Sequence, residues 1–94
     1  MAVELMTKCE QKKIRLLNNI KTETWEIVEA SSLGNGISRG IRCLHCHGRV
    51  RVHTQIGALG VPDHVEHKSR RDSENCQGGP DFKGVHRMSE QPVA

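Results

Sequence analysis

Cys43-Leu44-His45-Cys46, then His64-Val65-Glu66-His67, then Cys76: these 34 residues hold three of the chain's four cysteines and five of its six histidines. Two thiols three residues apart can take two corners of a tetrahedron, with amides of the tight turn hydrogen-bonding the sulfurs. The stretch therefore reads as a metal-binding knuckle whose remaining ligands lie downstream. Two closures compete. His64 and His67, one helical turn apart, could both face an ion, or His67 could pair with Cys76. The second is preferred, because a thiolate is the softer ligand and Cys76 has no other reason to stand in a polar, glycine-rich segment. The predicted ligands are Cys43, Cys46, His67 and Cys76, with His64 as the alternative, and the predicted cofactor is one zinc ion per chain.

A metal is also what the rest of the composition calls for. Ninety-four residues make one domain, and this chain has one Trp, one Phe and no Tyr. So short a chain buries a modest share of its surface, and aromatic side chains supply the most buried area per residue. Domains of this kind need a disulfide framework, a metal or a partner. The N-terminus carries Glu4 and no apolar run of signal-peptide length, and no stretch is long enough to cross a membrane. A reducing cytoplasm is expected, where clustered Cys and His bind metal rather than pair as disulfides.

Upstream, Val3, Leu5, Met6 and Cys9 are compatible with a helical face. Cys9 has no ligand-type neighbour and reads as a small apolar contact or an exposed thiol, so that Cys9→Ser should be nearly silent. Lys12–Leu17 continues that helix or begins a strand, Asn18-Asn19 marks a turn, and Thr24–Ala30 reads as a strand. Alternation puts Trp25 and Ile27 on its core face, with Trp25 as an anchor. Ser31–Gly40 is a loop. Gly48 lets the chain turn into a strand, Arg49–His53, with Val50 and Val52 on one face and Arg49 and Arg51 on the other. Residues 54–63 are a loop, Asp63 caps a helix over His64–Arg71, and irregular structure follows from Asp72. The predicted fold is a small α+β zinc-stabilised domain, a treble-clef-like or zinc-ribbon-like knuckle with an antiparallel hairpin and one or two short helices. It spans 1–88, with its metal-binding core at 41–78 and a mobile tail at 89–94.

Charge is unevenly spread. Residues 1–30 sum to zero, residues 31–71 to +5 and residues 72–94 to −2. Arg49, Arg51, Lys68, Arg70 and Arg71 are the candidate partner-binding residues. A basic face of this kind suits a polyanion, and with few aromatics to stack on bases the contacts would be to phosphates. Nucleic acid or a protein of nucleic-acid machinery is the expected partner, and no membrane contact is expected.

The pattern Cys43-x-x-Cys46, Gly48-x-Val50-Arg51-Val52-His53, His64-Val65-Glu66-His67 and Cys76 resembles the zinc-finger segment of bacterial competence protein CoiA-like proteins and related small bacterial and phage zinc proteins. Val65 stands where that family usually has Phe. The resemblance spans about residues 12–76, by inspection of the pattern. It implies a zinc module linked to DNA processing, without the nuclease part of the larger proteins. The expected role is a non-enzymatic nucleic-acid-associated adaptor or regulator. Two alternatives are a phage-type inhibitor docking on host nucleic-acid machinery and an HNH-type nuclease fragment. In the latter Asp63 and His64 would hold metal and activate water. Cys43-Leu44-His45-Cys46-His47 also matches a haem-attachment motif. Haem is not expected, since attachment requires export and an apolar pocket.

Overall fold

The computed structural model describes residues 6–54 and 62–93, so Val3 and Leu5 of the expected helical face and most of the 54–63 loop lie outside the described residues. The chain opens with two long antiparallel strands, β1 (Lys8–Leu17) and β2 (Ile20–Glu29), paired at all ten positions from Lys8↔Glu29 to Leu17↔Ile20. Asn18 and Asn19 form the turn with φ of 51° and 64°. Two successive residues at positive φ match the right-handed twist of the strands, and Asn tolerates that region better than other side chains bearing a Cβ. For residues 8–17 the strand is correct and the helix is not, because every residue finds a partner across the hairpin. A short strand, β3 (Ile41–Arg42), pairs with Glu10 and Gln11, so the sheet order is β2-β1-β3. A single 3-10 turn, Ala30–Ser32, follows β2.

A second, two-stranded sheet joins β4 (Val50–His53) to β5 (His64–His67) in antiparallel register, with Val50↔His67, Arg51↔Glu66, Val52↔Val65 and His53↔His64. This overturns the helix expected over 64–71. Lys68 N donates to Arg49 O at 3.0 Å and Met6 bridges Val65, so 64–68 is paired along one edge and held at Val65 on the other. The helix starts later, as α1 (Arg70–Asn75), and Ser69 caps it in place of Asp63 by accepting from Asp72 N. Beyond α1 the described residues contain no further helix or strand. The segment read as a mobile tail is described to Val93. Ser89 N donates to Cys46 O and Val93 N to His47 O, at 2.9 and 2.8 Å.

The core is one cluster of Met6, Cys9, Ala30, Ile41, Cys43, Cys46, Val50, Val52, Val65 and Cys76, with Val28 and Leu33 packed against it. It holds all four cysteines and no aromatic ring, so sulfur does the packing that Phe and Trp do elsewhere. Cys9 is therefore the apolar contact of the two readings offered, buried opposite Val28.

That pairing reverses the expected face of β2. Val28 and Ala30 turn inward, Ile27 is 64% exposed, and Trp25 is only half-buried. Trp25 is no core anchor. It carries the Arg42 guanidinium 4.0 Å above its ring, and Arg42 Nε donates to Glu10 at 2.8 Å, so a cation–π contact and an ion pair clamp β3 across the hairpin. The distal hairpin projects beyond β3, with Ile14, Leu16, Leu17 and Ile20 between 56% and 72% exposed. No helix among the described residues is long and apolar enough to cross a membrane.

Candidate metal centre

Cys43 follows β3 directly, and the turn behind it is closed by Cys43 N to Gly48 O and His47 N to Cys43 O, each 2.9 Å. His45 N points at Cys43 Sγ (3.3 Å) and Gly48 N at Cys46 Sγ (3.4 Å). The turn that Gly48 was expected to make is made by His47, at φ 63°. Gly48 is needed for space instead: a Cβ there would run into the Asp72 carboxylate and Ser89. Gly78 N points at Cys76 Sγ, 3.3 Å away, so each of the three sulfurs receives the amide two residues on. The sequence carries this signal as a repeated Cys-x-Gly at 46–48 and 76–78. Amides aimed at sulfur favour its thiolate form.

Strand β5 supplies the fourth donor. Successive side chains of a strand point to opposite faces, so His64 and His67, three apart, cannot share a side. His67 lies opposite Val50 and turns inward, while His64 lies opposite His53 on the outer face. Cys43, Cys46, His67 and Cys76 thus form a cluster with all four donor atoms within 4.8 Å of one another, and His64 is not among them. Cys43 Sγ and Cys76 Sγ are 3.6 Å apart, and Cys46 Sγ and His67 Nε2 3.5 Å. Tetrahedral bonds of zinc-like length would place two sulfurs about 3.8 Å apart and a sulfur and a nitrogen about 3.5 Å apart. The donor set fits a metal ion held by three thiolates and one imidazole.

The electrostatics agree. Hydrogen bonds from Cys46 and Cys76 push the Cys43 thiol far down, while hydrogen bonds to Cys43 and Cys76, with burial, push Cys46 up. Burial pulls His67 down, but hydrogen bonds to Cys43 and Cys76 and their charge outweigh it and raise it to about 9. Without a cation the cluster needs protons to hold its sulfurs together, and a metal takes their place by releasing them. His67 Nδ1 is buried without a hydrogen-bonding partner, which leaves one ring nitrogen uncompensated by protein. Cys9 stands apart, its thiol raised to about 11 by burial, then by the Cys43 charge.

His45 is half-buried, its Nδ1 3.0 Å from Gln77 Nε2, and His47 reaches Glu10 at 3.4 Å. His86 accepts from Gln77 N at 3.2 Å. His53 stacks on His64 with ring centroids 5.3 Å apart.

Of the five basic residues, Arg49, Arg51 and Lys68 are exposed and have no acidic partner among the described residues. Arg70 lies 4.0 Å from Glu74, and Arg71 3.2 Å from Glu90. Arg39, not singled out in sequence, joins Arg49 and Lys68 in lining a groove of about 490 Å³. Only its charge marked it.

The fold and site define a small, mostly antiparallel β domain with one short helix and a Cys3His cluster able to hold a metal ion. A family model matches residues 1–94, and the chain belongs to that family. It is 36% identical over 74 residues to a protein of Azorhizobium caulinodans whose printed name is "Uncharacterized protein", a match covering 76% of this chain and 82% of that relative. No solved structure matches the chain.

Proposed function

We propose that this protein is a non-enzymatic module that holds one zinc ion in the Cys43, Cys46, His67, Cys76 cluster and binds nucleic acid through phosphates. Zinc is favoured by chemistry: three thiolates and an imidazole at tetrahedral spacing make a closed structural site with no position left for substrate. The observation that carries the nucleic-acid reading is the pair Arg49 and Lys68. They adjoin across β4 and β5, one residue from the ligand His67, with Arg39 in the same groove and no carboxylate neutralising them among the described residues. The resemblance to competence-protein zinc fingers supports the same reading. The metal would hold the strands that present these cations.

The test is titration of a fluorescent duplex at several salt concentrations. Affinity should fall steeply with salt, and Arg49→Ala with Lys68→Ala should lower the log–log slope by about 1 for each phosphate no longer neutralised. No binding at low salt would sink the proposal. The exposed apolar hairpin end, Ile14, Leu16, Leu17 and Ile20, favours a second reading, a regulator docking on a protein of nucleic-acid machinery. Pull-downs with and without nuclease separate the two: a stoichiometric protein retained after nuclease supports the regulator.

A further inference from the structure

Residues 1–30 carry no net charge, yet their charges are segregated. Residues 12–22 hold Lys12, Lys13, Arg15 and Lys21 and no acidic side chain, so that segment is +4 and the remainder of 1–30 is −4. The hairpin makes this segment its free end. Strand β1 pairs with β3 at Glu10 and Gln11 only, and every residue from Ile14 to Thr24 is exposed. From Lys12 to Leu17 the two-stranded ribbon runs about 20 Å at the rise of a strand. Cross-strand register fixes its faces. Lys13↔Thr24, Arg15↔Thr22 and Leu17↔Ile20 share one, and Ile14↔Glu23 and Leu16↔Lys21 the other. Apolar side chains therefore stand on both faces of the end, each time beside a cation. Lys13 and Lys21 have no acidic partner among the described residues. Arg15 pairs at the surface with Glu26 at 3.1 Å, an ion pair weak enough to be exchanged for a phosphate.

We infer that the distal hairpin is a nucleic-acid arm that lies in a groove of a duplex, with Lys13, Arg15 and Lys21 against phosphates and Leu17 and Ile20 against bases. This contact rests on the nucleic-acid reading of the Arg49–Lys68 groove and deepens it, since it names a duplex as the ligand. The dimensions fit: the major groove of B-DNA is about 12 Å wide and about 8.5 Å deep and admits a two-stranded ribbon. The arm is also continuous with the groove. Lys12 N donates to Gly40 O at 2.8 Å, and Gly40 lines the groove with Arg39, Arg49 and Lys68, so the arm leaves the body at the edge of that basic surface. Cations flanking a Leu and Ile tip are the combination that grips phosphates while an apolar wedge meets base steps. Other occupants fit less well. Weighed alone, the apolar tip suits a protein, but the four cations around it call for a polyanion. A second copy would set four cations against four. A lipid surface takes one apolar side, whereas here both faces are mixed.

The experiment titrates a fluorescent duplex with the full chain, supplied with one equivalent of zinc, at several salt concentrations. Lys13→Gln with Lys21→Gln should lower the log–log salt slope by about 1 for each phosphate no longer neutralised. Leu17→Ser with Ile20→Ser removes no charge, so it should weaken binding about tenfold at every salt concentration and keep the slope. Leu17 and Ile20 are 70% and 66% exposed, so circular dichroism should be unchanged. Lys83→Gln with Arg87→Gln removes the same charge outside the arm and the groove, and should leave the slope at the wild-type value. A slope indifferent to the Lys13 and Lys21 pair, or lowered as much by the Lys83 and Arg87 pair, overturns the arm while leaving the Arg49–Lys68 groove standing. No binding by the wild type at low salt overturns the parent reading and the arm with it. Phosphatidylserine vesicles bound through Leu17 and Ile20, with duplex binding indifferent to both, would assign the arm to a lipid surface and overturn the duplex.

Discussion

The β1–β2 hairpin and the β4–β5–α1 unit are held together by different physics. The hairpin is local: ten paired positions joined by two asparagines, with ion pairs such as Lys12–Glu23 at 3.3 Å along it. Beyond Gln11 its outer half pairs with no third strand among the described residues. The second unit is non-local, and its strongest tie is a cluster joining Cys43, Cys46, His67 and Cys76 across 34 residues. Its two strands are four residues long each, too short to stand alone. One region needs its turn and its pairing, and the other needs its ligands.

Removing those ligands should have the largest effect. A strong chelator, or Cys43→Ser, should collapse the β4–β5–α1 unit, since the binding free energy of a structural zinc is folding free energy, about 10–16 kcal/mol in small zinc peptides. Amide exchange should show protection lost at Val50, Val52 and Val65. If the apoprotein keeps that protection, the contrast between the regions fails. His67→Ala should abolish the metal equivalent, whereas His64→Ala should leave it intact. Equal losses in both variants would put His64 back among the ligands of that site.

Smaller effects sharpen the comparison. Gly48→Ala should cost about 1–3 kcal/mol by denaturant titration, because the new methyl overpacks against Asp72 and Ser89. Cys9→Ser, nearly silent on the sequence reading, should now cost about 1–3 kcal/mol, since it places a hydroxyl among apolar atoms at 0% exposure. An unchanged midpoint would mean that the hydroxyl finds a partner. Leu16→Thr at the hairpin end should shift stability by less than about 0.5 kcal/mol, because Leu16 is 72% exposed. A larger loss, dependent on protein concentration, would show that the hairpin end is covered in solution.

Much of the metal site was legible in sequence. Thiols at a three-residue spacing with a distant His and Cys restrict the chemistry whatever the fold, and the Asn-Asn turn announced its hairpin. The face of β2 was not legible. Either alternate set, Trp25 and Ile27 or Val28 and Ala30, is apolar enough to be the inner one. Cys9 opposite Val28 decides it, and that is a cross-strand fact. The charged face was legible as a count only: which cations stay unneutralised depends on Glu74 and Glu90 reaching Arg70 and Arg71 from other parts of the chain.

The sequence by itself determined the donor types, the candidates Cys43, Cys46, His67 and either Cys76 or His64, and a core poor in aromatic side chains that a metal would reinforce. Only the tertiary structure decided between His64 and Cys76 as the donor that joins His67. Read alone, His64-Val65-Glu66-His67 serves a helix or a strand, and in a helix both rings would face one ion. Pairing with Val50–His53 on one edge and Met6 on the other imposes a period of two, which sends His67 inward to the sulfurs and His64 outward to His53 and Glu66.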